Sequence, residues 1–124
     1  MSPPSPIDRL RALCLALPEA HEVEAWGEPT FRVRDRMFAT YASAGSHHGA
    51  GRPAAWVKAA RDNQALMVQA APARFFVPPY VGVHGWVGVW LDEAPDWDGL
   101  AELLRDGWRR TAPKRLAAAL DASR

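Results

Sequence analysis

The chain has 124 residues, of which 48% are hydrophobic and 23% charged, and its formal net charge is +1. This composition is typical of one globular domain and excludes a disordered chain, a collagen-like repeat and a disulfide scaffold. The near-neutral balance favours no particular class of partner, since a dedicated nucleic-acid domain more often has an isoelectric point above ~9.

The N-terminal segment predicts a helix after a short frayed end at residues 1–5. Ser5 is a candidate N-cap, and Pro6 stands at the first helical position, where proline is tolerated. Apolar residues follow at helical spacing, and Pro18 ends the segment. These residues are Ile7, Leu10, Leu13, Cys14 and Leu17.

The next part of the chain predicts a hairpin and a third strand. Residues 22–42 are strand-like, and Asp35 falls where a tight turn joins two strands. Residues 43–53 are rich in glycine and small polar side chains, which predicts a loop. Residues 54–58 predict the third strand, and Asp62 is a candidate cap for a short helix that ends at about Ala70.

The C-terminal half predicts two more strands and two helices. Residues 74–77 and 86–91 are the fourth and fifth strands, separated by a glycine-rich loop at residues 81–85. Asp96 caps an amphipathic helix, and Pro113 opens the last one. The predicted order is α-β-β-β-α-β-β-α-α. We therefore expect one α+β domain over residues 1–124, with two layers: a five-stranded antiparallel sheet and helices packed on one face.

Alternation along the strands predicts a second sheet face that carries rings and cations. If the aliphatic residues lie under the helices, the open face carries Arg32, Arg34, Trp56, Lys58, Arg74, Phe76, Trp86 and Trp90. Bases stack on aromatic rings while cations follow phosphates, so this face is a candidate for single-stranded nucleic acid. A basic C-terminal group is a second candidate: Arg105, Arg109, Arg110, Lys114 and Arg115. The same aromatic face also fits core packing or self-association, as a protein-interaction or homodimer module.

A small-ligand pocket is a further alternative, where the loop before the fifth strand meets that strand. Its candidate residues are Trp26, Tyr80, His84 and Trp86. Gly82, Gly85 and Gly88 recur every third residue, but a strand follows them instead of the helix that a phosphate loop needs. We interpret these glycines as permitting positive φ or close backbone approach.

Catalytic and metal motifs are weak in this sequence. His47, His48 and His84 are interpreted as solvated loop residues, and no Cys or acidic residue stands at a metal-type spacing from them. Cys14 is interpreted as an inert packed thiol. Nothing in the sequence pairs two of the glutamates Glu19, Glu22, Glu24 and Glu28 for acid–base work. We expect a non-enzymatic protein with no metal and no cofactor.

Several segments resemble the MmcQ/YjbR family of small bacterial proteins. They are LCLALPEAHEVEAWGEPTFRVRDRMFA, RFFVPPYVGVHGWVGVWLD and DWDGLAELLRDGWRRTAPKRLAAAL, and the resemblance runs from about Ile7 to Leu120. It implies a compact α+β domain similar to secretion-chaperone-like folds. It also implies DNA binding through a proposed double-wing arrangement, without catalytic residues. The single cysteine and the absence of a signal-peptide pattern favour a cytoplasmic location, without a membrane anchor.

Overall fold

The computed structural model of the protein describes residues 4–45 and 51–122, which form four α-helices and a sheet of six strands. The helices are α1 (Pro6–Leu15), α2 (Arg61–Ala70), α3 (Trp97–Thr111) and α4 (Lys114–Ala122). The strands are β1 (Ala20–Ala25), β2 (Glu28–Val33), β3 (Arg36–Ala42), β4 (Ala54–Val57), β5 (Phe75–Phe76) and β6 (Val87–Trp90). The predicted loop at residues 81–85 is largely a 3₁₀ turn, Val81–His84. None of the described helices is long and apolar enough to cross a membrane.

The α+β class is confirmed, but the predicted number of strands is wrong by one. The sheet is antiparallel throughout, in the order β1-β2-β3-β4-β6-β5. The additional strand is β1, which lies at the sheet edge and exposes three consecutive residues, Glu22, Val23 and Glu24. Because β1 has no strictly alternating buried face, periodicity does not separate it from the strand that follows.

Two of the three predicted helix caps are confirmed. The Ser5 hydroxyl accepts a hydrogen bond from the Asp8 N–H at 3.3 Å. An Asp96 carboxylate oxygen accepts one from the Gly99 N–H at 3.0 Å. The prediction for Asp62 is wrong, because α2 begins one residue earlier, after Ala60. Asp62 lies inside the first turn, where its charge is favourable to the helix dipole.

A two-residue turn sets the register between β2 and β3. Val33 pairs with Arg36, which leaves Arg34 and Asp35 as a two-residue turn with φ of 51° and 64°. The predicted tight turn at Asp35 is therefore confirmed. Positive φ at both central residues is the type I′ pattern, whose twist matches that of the paired strands.

One face of the sheet packs on the helices and forms the main core, as the strand alternation predicted. Leu10 and Cys14 of α1 and Leu104 and Trp108 of α3 are fully buried there. They pack with the aliphatic face of the strands, which includes Phe31, Val33, Val57, Val87 and Val89. Partly buried residues of α2 and α4 join the same cluster. Val77, the last residue of the predicted fourth strand at 74–77, lies beyond the end of β5 and is exposed.

The opposite face carries the predicted aromatic residues, but it is not open. Trp56 and Trp86 are only 8% and 6% exposed and form a second cluster with Ala42 and Ala54. Partly buried residues that pack against this cluster include Phe76, Trp90 and Val81. Val81 belongs to the 3₁₀ turn, so the connection between β5 and β6 covers part of the face. A local alternation of residues does not reveal such coverage.

Close backbone approach explains the glycine at position 88. The Phe76 ring lies directly against Gly88, in the space where a Cβ atom would stand. That ring is also stacked on Trp90, with centroids 4.1 Å apart. Gly85 has a φ of 97°. The interpretation of these glycines as permitting close approach or positive φ is therefore confirmed at both positions.

Candidate functional site

A cavity of about 460 Å³ opens on the second sheet face, beside the aromatic cluster. Its walls come from the β1–β2 hairpin, from β3 and β4, and from the start of the 3₁₀ turn. Three aromatic side chains among the described residues line it: Trp26, Trp56 and Tyr80. Tyr41 also borders the cavity, but its side chain packs against the main core on the other face of the sheet. The other lining residues are small or aliphatic except for Thr40 and Glu28. The cavity therefore combines a largely apolar wall with one carboxylate.

Trp26 stands at the rim of this cavity in an unusual backbone conformation. Ala25 pairs with Glu28, so Trp26 and Gly27 form a two-residue turn with φ of 54° and 77°. Glycine tolerates this left-handed region, whereas a bulky L-residue is rare there. The Trp26 side chain is 76% exposed. The hairpin thus places a large ring at the cavity mouth, at a position whose backbone conformation is unfavourable for a bulky residue.

Tyr80 is a second exposed aromatic residue of the cavity wall and is also in a strained conformation. Its φ is 65° and its ψ is −64°. The Val81 N–H donates to the Pro79 carbonyl at 2.7 Å, which closes a three-residue γ-turn around Tyr80. The positive-φ form of this turn is rare and strained. The Tyr80 side chain is 69% exposed, so the turn places a second large ring at the mouth.

Glu28 is the charged residue of the cavity wall. One of its carboxylate oxygens accepts a hydrogen bond from the Ser43 hydroxyl at 2.9 Å, and the other accepts one from the Ser43 N–H. A carboxylate offers about four acceptor sites, so these two bonds orient the group without exhausting it. Burial, together with the negative charge of Glu28, raises the pKa of Tyr41. Glu28 therefore gives the wall a negative charge.

The predicted ligand-pocket residues are partly brought together. Trp26 and Tyr80 line the cavity. Trp86 belongs to the buried cluster beside it, and His84 is exposed at the end of the 3₁₀ turn. Sequence reasoning missed Glu28, Tyr41 and Trp56 as lining residues. The signal for them is the register, since Glu28 pairs with Ala25 and Thr40 pairs with Trp56 across neighbouring strands.

Most of the arginines predicted to contact nucleic acid on the sheet side are engaged within the chain. Arg32 donates to the Thr30 hydroxyl at 3.1 Å. Arg34 lies in the β2–β3 turn, not on the predicted sheet face, and pairs with Glu19 at 2.6 Å. Arg74 lies 4.0 Å from an Asp96 oxygen. The carboxylates beside Arg34 and Arg74 partly offset these two charges and lower the positive potential of this side, whereas the bond to the Thr30 hydroxyl leaves the charge of Arg32 unchanged.

The predicted aromatic contacts are covered to different degrees. Trp56 and Trp86 are buried, and Trp90 stacks on Phe76. The guanidinium of Arg52 lies 4.2 Å from the centre of the Trp90 ring, on its face. Rings that already pack on protein are not free to stack on bases. The homodimer prediction also relied on this face being open, and the described fold covers much of it.

The basic C-terminal group lies in the helical layer, away from the second sheet face. Arg109 pairs with Asp121 at 2.6 Å and Arg110 pairs with Asp106 at 2.8 Å. Lys114 and Arg115 are exposed at the start of α4. Apart from Lys58, which lies within electrostatic range of Arg110, the predicted nucleic-acid residues therefore divide between two sides of the molecule.

Metal and thiol chemistry find little support in the described residues. His47 and His48 lie outside them, and residues 4–45 and 51–122 hold no group of three His, Cys, Asp or Glu that is placed to bind a metal ion. Cys14 is buried, and its burial raises the pKa of the thiol far above its ordinary value. Because the thiolate is the reactive form, the interpretation of Cys14 as a packed thiol is confirmed.

The fold and the cavity define a small α+β domain with an antiparallel sheet, a helical layer on one face and an aromatic cavity on the other. A family model described as YjbR matches residues 15–110, and the chain belongs to the YjbR family. The fold is similar to the crystal structure of Deinococcus radiodurans protein DR2400, described with the family-model domain DUF419. That likeness has a TM-score of 0.71 at 23% identity, and it covers 86% of this chain and 80% of the other. Comparison with curated proteins finds no match.

Proposed function

We propose that this YjbR-family protein binds a small, largely apolar molecule in the aromatic cavity. The observation that carries the proposal is the cavity itself, about 460 Å³ with three aromatic side chains and one charged group among its described lining residues. Ligand pockets commonly measure ~300–1,000 Å³ and combine apolar walls with a few polar groups. A ligand of this kind gains affinity by displacing water from the rings, and Glu28 supplies a point of orientation.

The backbone at the cavity mouth supports the proposal independently. A left-handed conformation costs an L-residue roughly 1–2 kcal/mol, and Trp26 and Tyr80 both have positive φ. The Trp26 side chain is largely exposed, so burial within the chain returns little of this cost. Strained residues of this type cluster at ligand clamps and active sites. Ring contact with a ligand gives a physical reason to keep a large aromatic residue at position 26.

A fragment screen with matched variants tests the proposal. Small aromatic and aliphatic molecules are screened by saturation-transfer NMR against the unaltered protein, Trp26→Ala, Tyr80→Ala and Leu66→Ala. Leu66 is an exposed apolar residue of α2 outside the cavity wall. We expect hits that weaken in the two rim variants and persist in Leu66→Ala. The absence of hits, or hits that all three variants bind equally, contradicts the proposal.

DNA binding is a second candidate, and a cluster of cations at one end of the sheet favours it. Lys58 follows β4, Arg36 begins β3 and Arg110 lies in the last turn of α3. Burial lowers the pKa of Lys58, and the positive charges of Arg36 and Arg110 lower it further. Like charges held together in this way suit a phosphate backbone, which relieves their repulsion.

Fluorescence anisotropy of labelled single- and double-stranded DNA at two salt concentrations tests this candidate. Lys58→Gln is compared with Arg52→Gln, which removes a charge beyond the other end of β4. DNA binding at the cluster predicts salt-sensitive affinity, with a logarithmic salt slope that falls by about one in Lys58→Gln alone. Equal effects of the two variants, or no binding at low salt, contradict it.

A further inference from the structure

We propose that the ligand of the aromatic cavity carries a positively charged alkylated nitrogen, so that the site recognises organic ammonium compounds. This inference rests on the proposed function and specifies the chemical class of the ligand. Its basis is the juxtaposition of three aromatic side chains with one carboxylate among the described residues of a single cavity wall.

The rings supply the first part of the argument. Trp26, Trp56 and Tyr80 come from three separate segments of the chain: the β1–β2 turn, β4 and the γ-turn. The face of an aromatic ring carries partial negative charge and attracts a cation within about 6 Å of its centre. Cages of several aromatic rings are a recognised solution for quaternary ammonium groups, whose charge is spread over apolar methyl groups.

The sign of the charge in the wall supplies the second part. Glu28 is an acid, and within residues 4–45 and 51–122 the wall includes no Lys, Arg or His. Arg32 lies on the same sheet face but is not part of the wall, and its guanidinium donates to Thr30. An anionic ligand therefore meets a like charge, whereas a cation meets an opposite one. A charge beside an apolar wall is costly unless it is paired, and a bound cation supplies that pairing.

The way Glu28 is held supplies the third part. Its two oxygens accept hydrogen bonds from the N–H and the hydroxyl of Ser43, which fix the carboxylate in place. A fixed carboxylate loses little conformational freedom when a ligand binds, so the attraction is retained.

A pair of probes with the same shape and different charge tests the proposal. Choline carries a trimethylammonium group, and 3,3-dimethylbutan-1-ol has a carbon atom in place of the nitrogen. Calorimetric and NMR titrations of both probes give their affinities for the unaltered protein. We expect choline to bind about tenfold more tightly than the neutral alcohol, because only choline gains the attraction of the rings and of Glu28. Equal affinities, or tighter binding of the alcohol, overturn the proposal.

Two variants locate the preference. Glu28→Gln is expected to lower choline affinity several-fold and leave the alcohol unchanged, whereas Glu24→Gln, on the same hairpin but outside the wall, leaves both unchanged. Trp26→Leu keeps an apolar rim without a ring, so it is expected to reduce the preference for choline even if Glu28→Gln does not fold. If neither variant changes the preference, the proposal is wrong.

The outcomes separate this proposal from the proposed function. If apolar fragments bind at the rim but choline has no advantage over the alcohol, the cavity is a ligand site and the cationic class is wrong. If neither the fragments nor the two probes bind, both proposals fail.

Discussion

Replacing Trp26 by Asn and by Ala separates two effects of this residue on stability: the contacts of its indole ring and the strain of its left-handed backbone. Both variants lose the contacts of the indole ring. They differ in the backbone, because Asn adopts the left-handed conformation readily and Asn-Gly is a favoured type I′ turn. We expect Trp26→Asn to be more stable than Trp26→Ala by about 1 kcal/mol, and both variants to lose affinity for cavity ligands.

The magnitude follows from the exposure and the φ angle of Trp26. The side chain is 76% exposed, so the fold covers roughly 60 Å² of a ring residue that buries up to ~250 Å² elsewhere. At ~25 cal/mol per Å² this contact contributes at most about 1.5 kcal/mol. The left-handed backbone, with φ of 54°, costs a similar amount, roughly 1–2 kcal/mol. Trp26→Asn is therefore expected to be about as stable as the unaltered protein, and Trp26→Ala measurably less stable.

Urea denaturation and thermal unfolding measure the difference. For a domain of this size, about 1 kcal/mol corresponds to roughly 4 °C in Tm. Equal stability of the Asn and Ala variants contradicts a strained turn at Trp26. A loss of more than ~2 kcal/mol in both variants shows instead that the ring is an integral part of the core.

Three further predictions concern the packing of the fold. Gly88→Ala places a methyl group against the Phe76 ring, so we expect the free energy of unfolding, measured by urea denaturation, to fall by about 1–3 kcal/mol. Gly45→Ala is the control, because Gly45 has open space around it, and its free energy of unfolding is expected to change little. Equal effects of the two variants contradict the close approach of Phe76 to Gly88. Trp108→Phe removes the N–H that donates to the Pro18 carbonyl at 2.9 Å, so we expect the free energy of unfolding to fall by about 3 kcal/mol. A decrease below ~1 kcal/mol contradicts the importance of that hydrogen bond. Because burial raises the pKa of Cys14, a thiol reagent at pH 8 is expected to modify it only as fast as the chain opens; rapid modification without denaturant contradicts this.

Features with local causes were predictable from the sequence. The caps at Ser5 and Asp96 depend on side chains within a few residues of the helix start, and the turn at Asp35 lies between two short alternating segments. The inward face of β6 follows from the alternation of Val87 and Val89. In each case the interaction that decides the structure joins residues that are close together in the sequence, so the local pattern of residues is enough to predict it.

Features that depend on distant pairing were not predictable. β1 is exposed at the sheet edge, and only its register with β2 identifies it as a strand. The burial of Trp56 depends on a chain segment more than twenty residues later that crosses its face. Glu28 becomes part of the cavity because β2 pairs with β1 on one side and β3 on the other. Trp26 and Tyr80 were accessible as candidates, since large aromatic residues near turns are conspicuous in the sequence.

Chemical-shift mapping of a bound fragment tests the central claim most directly. An isotope-labelled sample is titrated with the tightest fragment from the screen, and shifts are recorded for backbone and aromatic groups. The account predicts saturable shifts concentrated at Trp26, Tyr41, Trp56 and Tyr80, with little change at Lys58. Shifts that cluster around Lys58 and Arg110, or that spread evenly over the protein, contradict a ligand site in the aromatic cavity.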